Sequence, residues 1–510
     1  MNRRQFLENV TYGTLGVAGL GLAACQSSAA ENPGGGQRPN ILFAIADDWG
    51  WPYASIMGAK GVNTPHFDRV AREGLLFTHA FCAAPQCSPN RAAILTGRHI
   101  GQLEEAGAHS SLFPSKFTVY PSLLEEVGYH VGFTGKGWGP GDWKRGGWTQ
   151  NPAGPEYSTQ KLAEVPANGI VPMDYAGNFE AFLAKRPDGA PFCFWYGGHE
   201  PHRKYEKGSG LKSGKKLEDA SVPGFLPDDA VVRGDLLDCF LEIEWFDAQL
   251  GGMLKKLEAL GELENTIVIV TGDNGISFPR AKANLYEHGV RVPLAIRWGE
   301  RVKPDRTTDD LVSFVDFAPT FLEAAGVAPP ADMSGKSLLG LLTEGAAGPN
   351  EFVVFGRERH AHARRDNLGY PGRAIRTRDR LYIHNYKPDR WPAGDPDEYC
   401  DIDDGPTKSF LLENRDKYPA LFELAVGKRP EAELYDVSQS PDCIKNLADT
   451  PEHCEMRDKL GAQLSAVLTE QKDPRALGTG DLFESYPRFG AMRPKLGGFS
   501  KQGAYNPAYQ

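Results

Sequence analysis

The chain has 510 residues, with 66 acidic against 56 basic side chains and a formal charge of −10. A mildly acidic balance with both signs interspersed excludes a nucleic-acid binder, which needs a basic stripe or face. The length exceeds one ordinary domain and allows a large buried core, and 58 glycines with 38 prolines imply long loops.

At the N-terminus, Arg3-Arg4-Gln5-Phe6-Leu7 precedes a weakly apolar, glycine-rich stretch from Val10 to Ala24 and reads as a twin-arginine export signal. The stretch is too short and too rich in glycine for a membrane-spanning helix. It ends Leu22-Ala23-Ala24-Cys25, which resembles a bacterial lipobox with Cys25 lipidated. The expected product is an exported bacterial protein, periplasmic or at the outer membrane or cell surface, touching membrane only through a lipid anchor. Residues 1–25 are then the signal and 26–38 a polar tether. Of eight cysteines, six remain once Cys25 and Cys87 are set aside. Disulfides and free buried thiols are both open for these, and no Cys-x-x-Cys pattern suggests zinc.

Four short apolar runs end in polar residues. Asn40 to Ala46 leads into Asp47-Asp48, His130 to Gly135 into Lys136, Phe192 to Tyr196 through two glycines into His199-Glu200-Pro201-His202, and Thr266 to Thr271 through Gly272 into Asp273-Asn274-Gly275. Continuous apolar runs of this length predict strands covered on both faces. Between them lie helical patterns such as Asp235 to Gly261. The alternation predicts an α/β fold, a large mixed, mostly parallel sheet sandwiched by helices, with the four polar ends converging on one cleft. Beyond about Asn350 the texture changes: Arg373 to Asn385 alternates as a strand, Glu433 to Val437 reads as another, and Pro451 to Gln471 as a helix. The expected division is a catalytic domain over 39–350, a smaller C-terminal α+β domain over 351–475 and a tail over 476–510. The tail's aromatic content predicts that it lies along the body.

Asp47, Asp48, Asp273 and Asn274 offer only oxygen ligands, which suits a hard divalent cation, Ca2+ before Mg2+. Cys87 heads the run Cys87-Ser88-Pro89-Asn90-Arg91-Ala92-Ala93-Ile94-Leu95-Thr96-Gly97-Arg98. Pro89 suits the first turn of a helix, so Cys87 is predicted at a helix N-terminus that favours an anion, with Arg91 one turn on. Lys136, His199 and Lys282 add cations and a proton donor around that point.

Together these motifs resemble the formylglycine-dependent sulfatases of the alkaline-phosphatase-like superfamily. The resemblance extends from Asn40 to about Gln471, and Asp273 to Pro279 followed by Asn284-Leu285-Tyr286 is similar to the heparan N-sulfatases (sulfamidases) and their bacterial relatives. It implies a sulfatase that removes an O- or N-sulfate from a sulfated poly- or oligosaccharide. It further implies that a formylglycine-generating enzyme oxidises Cys87 to 3-oxoalanine, whose hydrate is the nucleophile. Carried over by position, Asp47, Asp48, Asp273, Asn274 and the modified Cys87 hold Ca2+, and Asp273 helps deprotonate the attacking hydroxyl. Arg91 steadies the formylglycine, Lys136 and Lys282 bind sulfate oxygens, and His199 with Lys282 serves the leaving group.

Two positions depart from the family pattern. Asn90 stands where Ser is common, and Trp138 stands where many members carry the histidine of Lys-x-His that assists release of sulfate. Either another group such as His109 or His99 substitutes, or that step is slower. Trp138, His109, His202, Arg203, His360 and His362, together with Arg364, Arg365 and Trp391, are candidates to line a saccharide pocket. Two competing readings are a phosphomonoesterase or phosphonate hydrolase of the same superfamily, and an inactive glycan-binding surface lipoprotein.

Overall fold

The strand Asn40–Ala46 (β1) runs through the middle of the molecule with every residue buried. Ile41, Phe43 and Ile45 enter one apolar cluster, whereas Leu42, Ala44 and Ala46 enter another on the opposite face. This period of two, with both faces apolar, is why the run carries no polar alternation. The computed structural model describes residues 38–396 and 398–510. The signal, most of the tether and Cys25 lie outside them.

The large sheet is completed by Leu75–Phe81 (β2), His130–Gly135 (β3), Phe192–Gly197 (β4), Thr266–Gly272 (β5), Arg291–Arg297 (β6), Arg306–Thr308 (β7) and Val312–Ser313 (β8). Its order is β3-β4-β1-β5-β6-β2-β7, with β8 also on β2. The β3, β4, β1 and β5 strands are mutually parallel, and β6 runs against both its neighbours. The expected mixed, mostly parallel sheet is therefore present. Its register decides the site: Ala46 stands opposite Gly272, Ile45 opposite Gly197 and Gly197 opposite Gly135. The parallel strands stop at one level, so the residues just past their ends emerge side by side.

The helix Ala230–Ala259 buries Leu236, Leu237, Phe240, Ile243, Phe246, Leu250, Met253, Leu254 and Leu257 against one face, as its 3.6 spacing requires. On the other face, the helix Cys87–Thr96 is buried at all positions and ends at Gly97 in the left-handed region (φ 65), the usual helix stop.

A second, antiparallel sheet is formed by Val353–Arg357 (β9), Gly372–Arg376 (β10), Arg380–Asn385 (β11) and Ala432–Asp436 (β12), in the order β12-β11-β10-β9. The single strand expected over Arg373 to Asn385 is in fact a hairpin. Its turn closes with the Thr377 N–H donating to the Arg380 carbonyl at 2.9 Å. The helix Cys454–Glu470 packs Leu460, Leu464 and Leu468 on this sheet with Ile375 and Leu434. Among the described residues no helix is long and apolar enough to cross a membrane, and Cys82, Cys87, Cys193, Cys239, Cys400, Cys443 and Cys454 are all free thiols.

Glu242, on the buried side of Ala230–Ala259, has no hydrogen-bond partner for either carboxylate oxygen among the described residues. Burial, with Glu200 adding, pushes its pKa up to about 9. The folded state thus keeps a proton that the unfolded chain releases near pH 4, so this contribution to stability is full below that pH and lost as pH rises toward 9. Glu242→Gln is expected to gain on the parent in melting temperature as pH is raised from 5 to 8, measured by calorimetry. A pH-independent difference would refute the buried-acid reading.

Candidate active site

Asp47 and Asp48 follow β1, and Asp273 and Asn274 follow β5. One ligand atom from each of Asp47, Asp48, Cys87 and Asp273 lies within 4.8 Å of the others, and all four residues are buried. The Asp48 N–H donates to Asp273 Oδ1 at 2.9 Å, and Asn274 Nδ2 donates to Asp48 Oδ1 at 2.8 Å. That orientation leaves Asn274 Oδ1 buried without a partner. Three carboxylates and a spare amide oxygen within one small volume fit a hard divalent cation.

Cations hold this cluster together. Lys136 Nζ lies 2.5 Å from Asp47 Oδ2, and Lys282 Nζ lies 2.7 Å from Asp48 Oδ2 and 3.0 Å from Asp403 Oδ2. Arg91, fully buried, donates through Nε to Asp273 Oδ2 at 2.9 Å and through NH1 to the Lys136 carbonyl at 2.7 Å; its NH2 reaches Asp47 Oδ1 at 4.0 Å. Burial alone raises the pKa of Asp47, but Lys136, His202, Arg91 and Lys282 hold it well below the usual carboxylate range. For Asp273, burial and the neighbouring Asp47 win, and its pKa is raised.

Cys87 is the first residue of its helix. Its Sγ donates to Asp47 Oδ1 at 3.2 Å. Burial, with Asp47 adding, pushes the thiol well above its ordinary range, so the unmodified side chain is no thiolate nucleophile at neutral pH.

A cavity of about 650 Å³ opens over these groups, and Asp47, Cys87, Lys136, His199 and Lys282 line it. Of the saccharide candidates, Trp138, His109, His202, Arg203 and His360 also line it. His362, Arg364, Arg365 and Trp391 are not among the lining residues. His362 accepts the Arg493 N–H on Nδ1 at 2.9 Å, and Arg364 is paired with Asp401 at 2.6 Å. Arg203 reaches the cavity but is committed to Asp235 by bonds of 2.8 and 2.7 Å. His99 lies outside the cavity lining as well. Trp138 donates Nε1–H to the Ser88 carbonyl at 3.0 Å and packs on Phe113. Asp403, Arg488 and Arg493 line the cavity too; no motif around them marks them in the sequence.

The family model described as Sulfatase matches residues 39–327. The chain belongs to the sulfatase family. A second model, N-sulphoglucosamine sulphohydrolase, C-terminal, matches residues 280–395. An ulvan-active sulfatase of Formosa agariphila is 27% identical over 86% of this sulfatase and 77% of its own length. The human N-sulphoglucosamine sulphohydrolase is 29% identical over 86% and 91%. An N-acetylglucosamine-6-O-sulfatase of Bacteroides thetaiotaomicron is 26% identical over 75% and 84%. Among solved structures, one in complex with its substrate D-glucosamine-2-N,6-O-disulfate superposes with a TM-score of 0.63 at 21% identity, covering 86% of this chain and 99% of that one. This chain is accordingly a hydrolase of sulfate esters or sulfamates.

Asn90 acquires a local explanation. Its Oδ1 accepts the Ala83 N–H at 2.9 Å and its Nδ2 donates to the Asp273 carbonyl at 2.6 Å. It ties the helix to the end of β5. Asn90→Ala strands two buried backbone groups and is expected to cost about 1–3 kcal/mol, read from urea unfolding. Unchanged stability would show that neither bond matters.

Proposed function

We propose that this sulfatase cleaves an O-sulfate ester or N-sulfate from a saccharide with formylglycine derived from Cys87 as nucleophile and Ca2+ as the metal. The observation that carries this reading is the meeting of Cys87, three carboxylates and three fixed cations beneath one cavity, which Asp47, Cys87, Lys136 and Lys282 line. Asp47, Asp48, Asp273 and Asn274, with the modified residue 87, would hold the ion, which supplies positive charge toward the sulfate oxygens. Formylglycine, once hydrated, supplies one hydroxyl to attack sulfur and a second whose deprotonation releases sulfate and restores the aldehyde.

The chain's own side chains take the remaining roles. Arg91 fixes the orientation of Asp273 and of the helix that carries residue 87. Lys136 and Lys282 neutralise the sulfate oxygens as charge builds. Burial pushes the His199 pKa down to about 4, so at neutral pH its imidazole serves the leaving oxygen as a neutral hydrogen-bond donor. Asp273, with its raised pKa, accepts the proton of the attacking hydroxyl.

His109 is the group best suited to the role that Trp138 cannot fill. Its Nδ1 faces the His360 carbonyl at 3.1 Å, an acceptor, so Nδ1 carries the proton and Nε2 keeps a free lone pair. Nε2 has no hydrogen-bond partner among the described residues, and burial keeps the ring neutral. The phosphatase reading lacks comparable support: Asp48, His202 and Asp403 form a second group of possible metal ligands, but the Lys282 ammonium contacts both acids at 2.7 and 3.0 Å, and its charge opposes a second cation there. The reading includes export by the N-terminal signal, a catalytic segment over 39–350, a C-terminal subdomain over 351–475 and a tail over 476–510.

After co-expression with a formylglycine-generating enzyme, peptide mass spectrometry should find residue 87 as 3-oxoalanine. The protein should then release sulfate from a saccharide panel holding O- and N-sulfates, and Cys87→Ala should release none. An unmodified thiol in a fully active enzyme would overturn the mechanism. Calcium removal should lower the melting temperature and its return restore it, whereas Asp48→Asn should show no calcium response. His109→Gln should lower kcat by roughly 10²- to 10⁴-fold with little change in KM; a loss below threefold would assign the proton transfer elsewhere.

A further inference from the structure

The last residues of the chain lie beyond both family matches, which end at 327 and 395, yet they form one wall of the active-site cavity. Arg359 donates to the carbonyls of Tyr486 and Pro487 at 2.8 and 2.9 Å, and the Phe489 N–H donates to the Ser110 carbonyl at 2.7 Å. These bonds seat Arg488, Ala491 and Arg493 on the cavity.

Arg488 is 6% exposed. Its Nε donates to the Ala491 carbonyl at 3.2 Å, and NH1 donates to the carbonyl of His360, the same oxygen that receives His109 Nδ1–H. Its NH2 has no partner among the described residues. Among the described buried arginines, Arg91 has Asp273, Arg373 has Asp473 and Arg376 has Glu287, whereas Arg280, Arg359 and Arg429 donate to backbone carbonyls and do not line the cavity. No carboxylate of the described residues lies within ion-pair distance of Arg488 or of the half-buried Arg493.

The acids nearest to them are already used. Asp401 pairs with Arg357 and Arg364, Asp403 with Lys282, Glu398 with Lys495 and Asp404 with Lys408. Burial, with Arg359 adding, pushes the Arg488 pKa down to about 9, and Asp401 offsets this only in part. A desolvated guanidinium satisfied only by carbonyls keeps an uncompensated charge, and since Arg488 and Arg493 both line the cavity, an anionic partner can reach them from there.

We infer that Arg488 and Arg493 form a second anion subsite, which binds a carboxylate or a further sulfate on the same saccharide whose sulfate is cleaved at residue 87. The subsite rests on the proposed function, for it presumes that the cavity holds the substrate. Arg488 shares the His360 carbonyl with His109, so the subsite adjoins the reacting end instead of a remote face. A planar guanidinium fork matches both carboxylate and sulfate, and each such charged bond contributes more than a neutral one. A singly sulfated neutral sugar leaves both arginines without an anionic partner. The expected substrate is therefore polyanionic.

Three probes test this on the full chain: N-acetylglucosamine 6-sulfate, glucosamine 2-N,6-O-disulfate, and a uronate-hexosamine disaccharide with one sulfate. Binding is measured by calorimetry on Cys87→Ala protein and turnover on the modified enzyme. Arg493→Gln and Arg488→Lys should each lower the preference for a doubly anionic probe over the singly charged one by about tenfold to a hundredfold. Loss confined to the disulfate assigns the subsite to sulfate, and loss confined to the disaccharide assigns it to the carboxylate. Equal loss on all probes, or none, overturns the subsite while the sulfatase mechanism stands. Arginine-dependent binding without any turnover overturns the mechanism while the subsite stands, and a parent that neither binds nor cleaves the probes overturns both.

Discussion

The burial of charge at one end of the large sheet is the constraint on which the rest of the site depends. Asp47, Asp48 and Asp273 are each at most 2% exposed. Carboxylates stripped of water and set side by side destabilise a fold severely unless cations meet them. Arg91 does more than neutralise: one guanidinium touches Asp273 after β5 and the Lys136 carbonyl after β3, and approaches Asp47 after β1. It comes from the helix that begins at Cys87. The position of Cys87, the clustered acids and the sheet edge are thus tied through a single side chain, and a change at Arg91 alters all three.

That arrangement needs the parallel register. Were β1 shifted by one residue against β5, Asp47 and Asp48 would exchange faces, because side chains alternate along a strand. Every buried pair on both faces of β1 opposes the shift: Phe43 packs on Trp195, Phe317 and Phe321 on one side, and Leu42 and Ala44 lie in the opposite cluster. The two apolar cores therefore carry the stability that sets the position of the acids. Strand stability and site geometry are coupled through register, not through contact.

The convergence of the site is legible in the sequence because it rests on local patterns: apolar runs that stop at polar residues, and a helix bracketed by Pro89 and Gly97. Those signals report where a strand or helix ends, and in a parallel sheet the strand ends alone are enough to place the polar residues next in the chain. Side-chain partnership is not legible. Arg203 and Arg488 look alike in sequence, yet Arg203 is held by Asp235 while Arg488 has no acid. The difference lies in the groups that distant elements bring near. His362 fails to reach the cavity for a related reason: its ring supports the backbone of Arg493, more than a hundred residues later. The hairpin over β10 and β11 reads as one strand because alternation continues through Thr377 and Asp379, and neither glycine nor proline marks the turn.

Charge balance links the proposed metal to the proposed substrate. Asp47, Asp48, Asp273 and Asp403 are four carboxylates, and Arg91, Lys136 and Lys282 are three fixed cations in contact with them. The cluster is one charge negative and repels an anion. A divalent cation makes it one charge positive, in a setting where little water remains to screen the excess. The site then favours an anion of the size that Lys136 and Lys282 can flank, which a sulfate group satisfies. On the proposed reading, metal loading and sulfate binding would be coupled in sign: each would lower the cost of the other, and a chain that lost its acids would lose affinity for both.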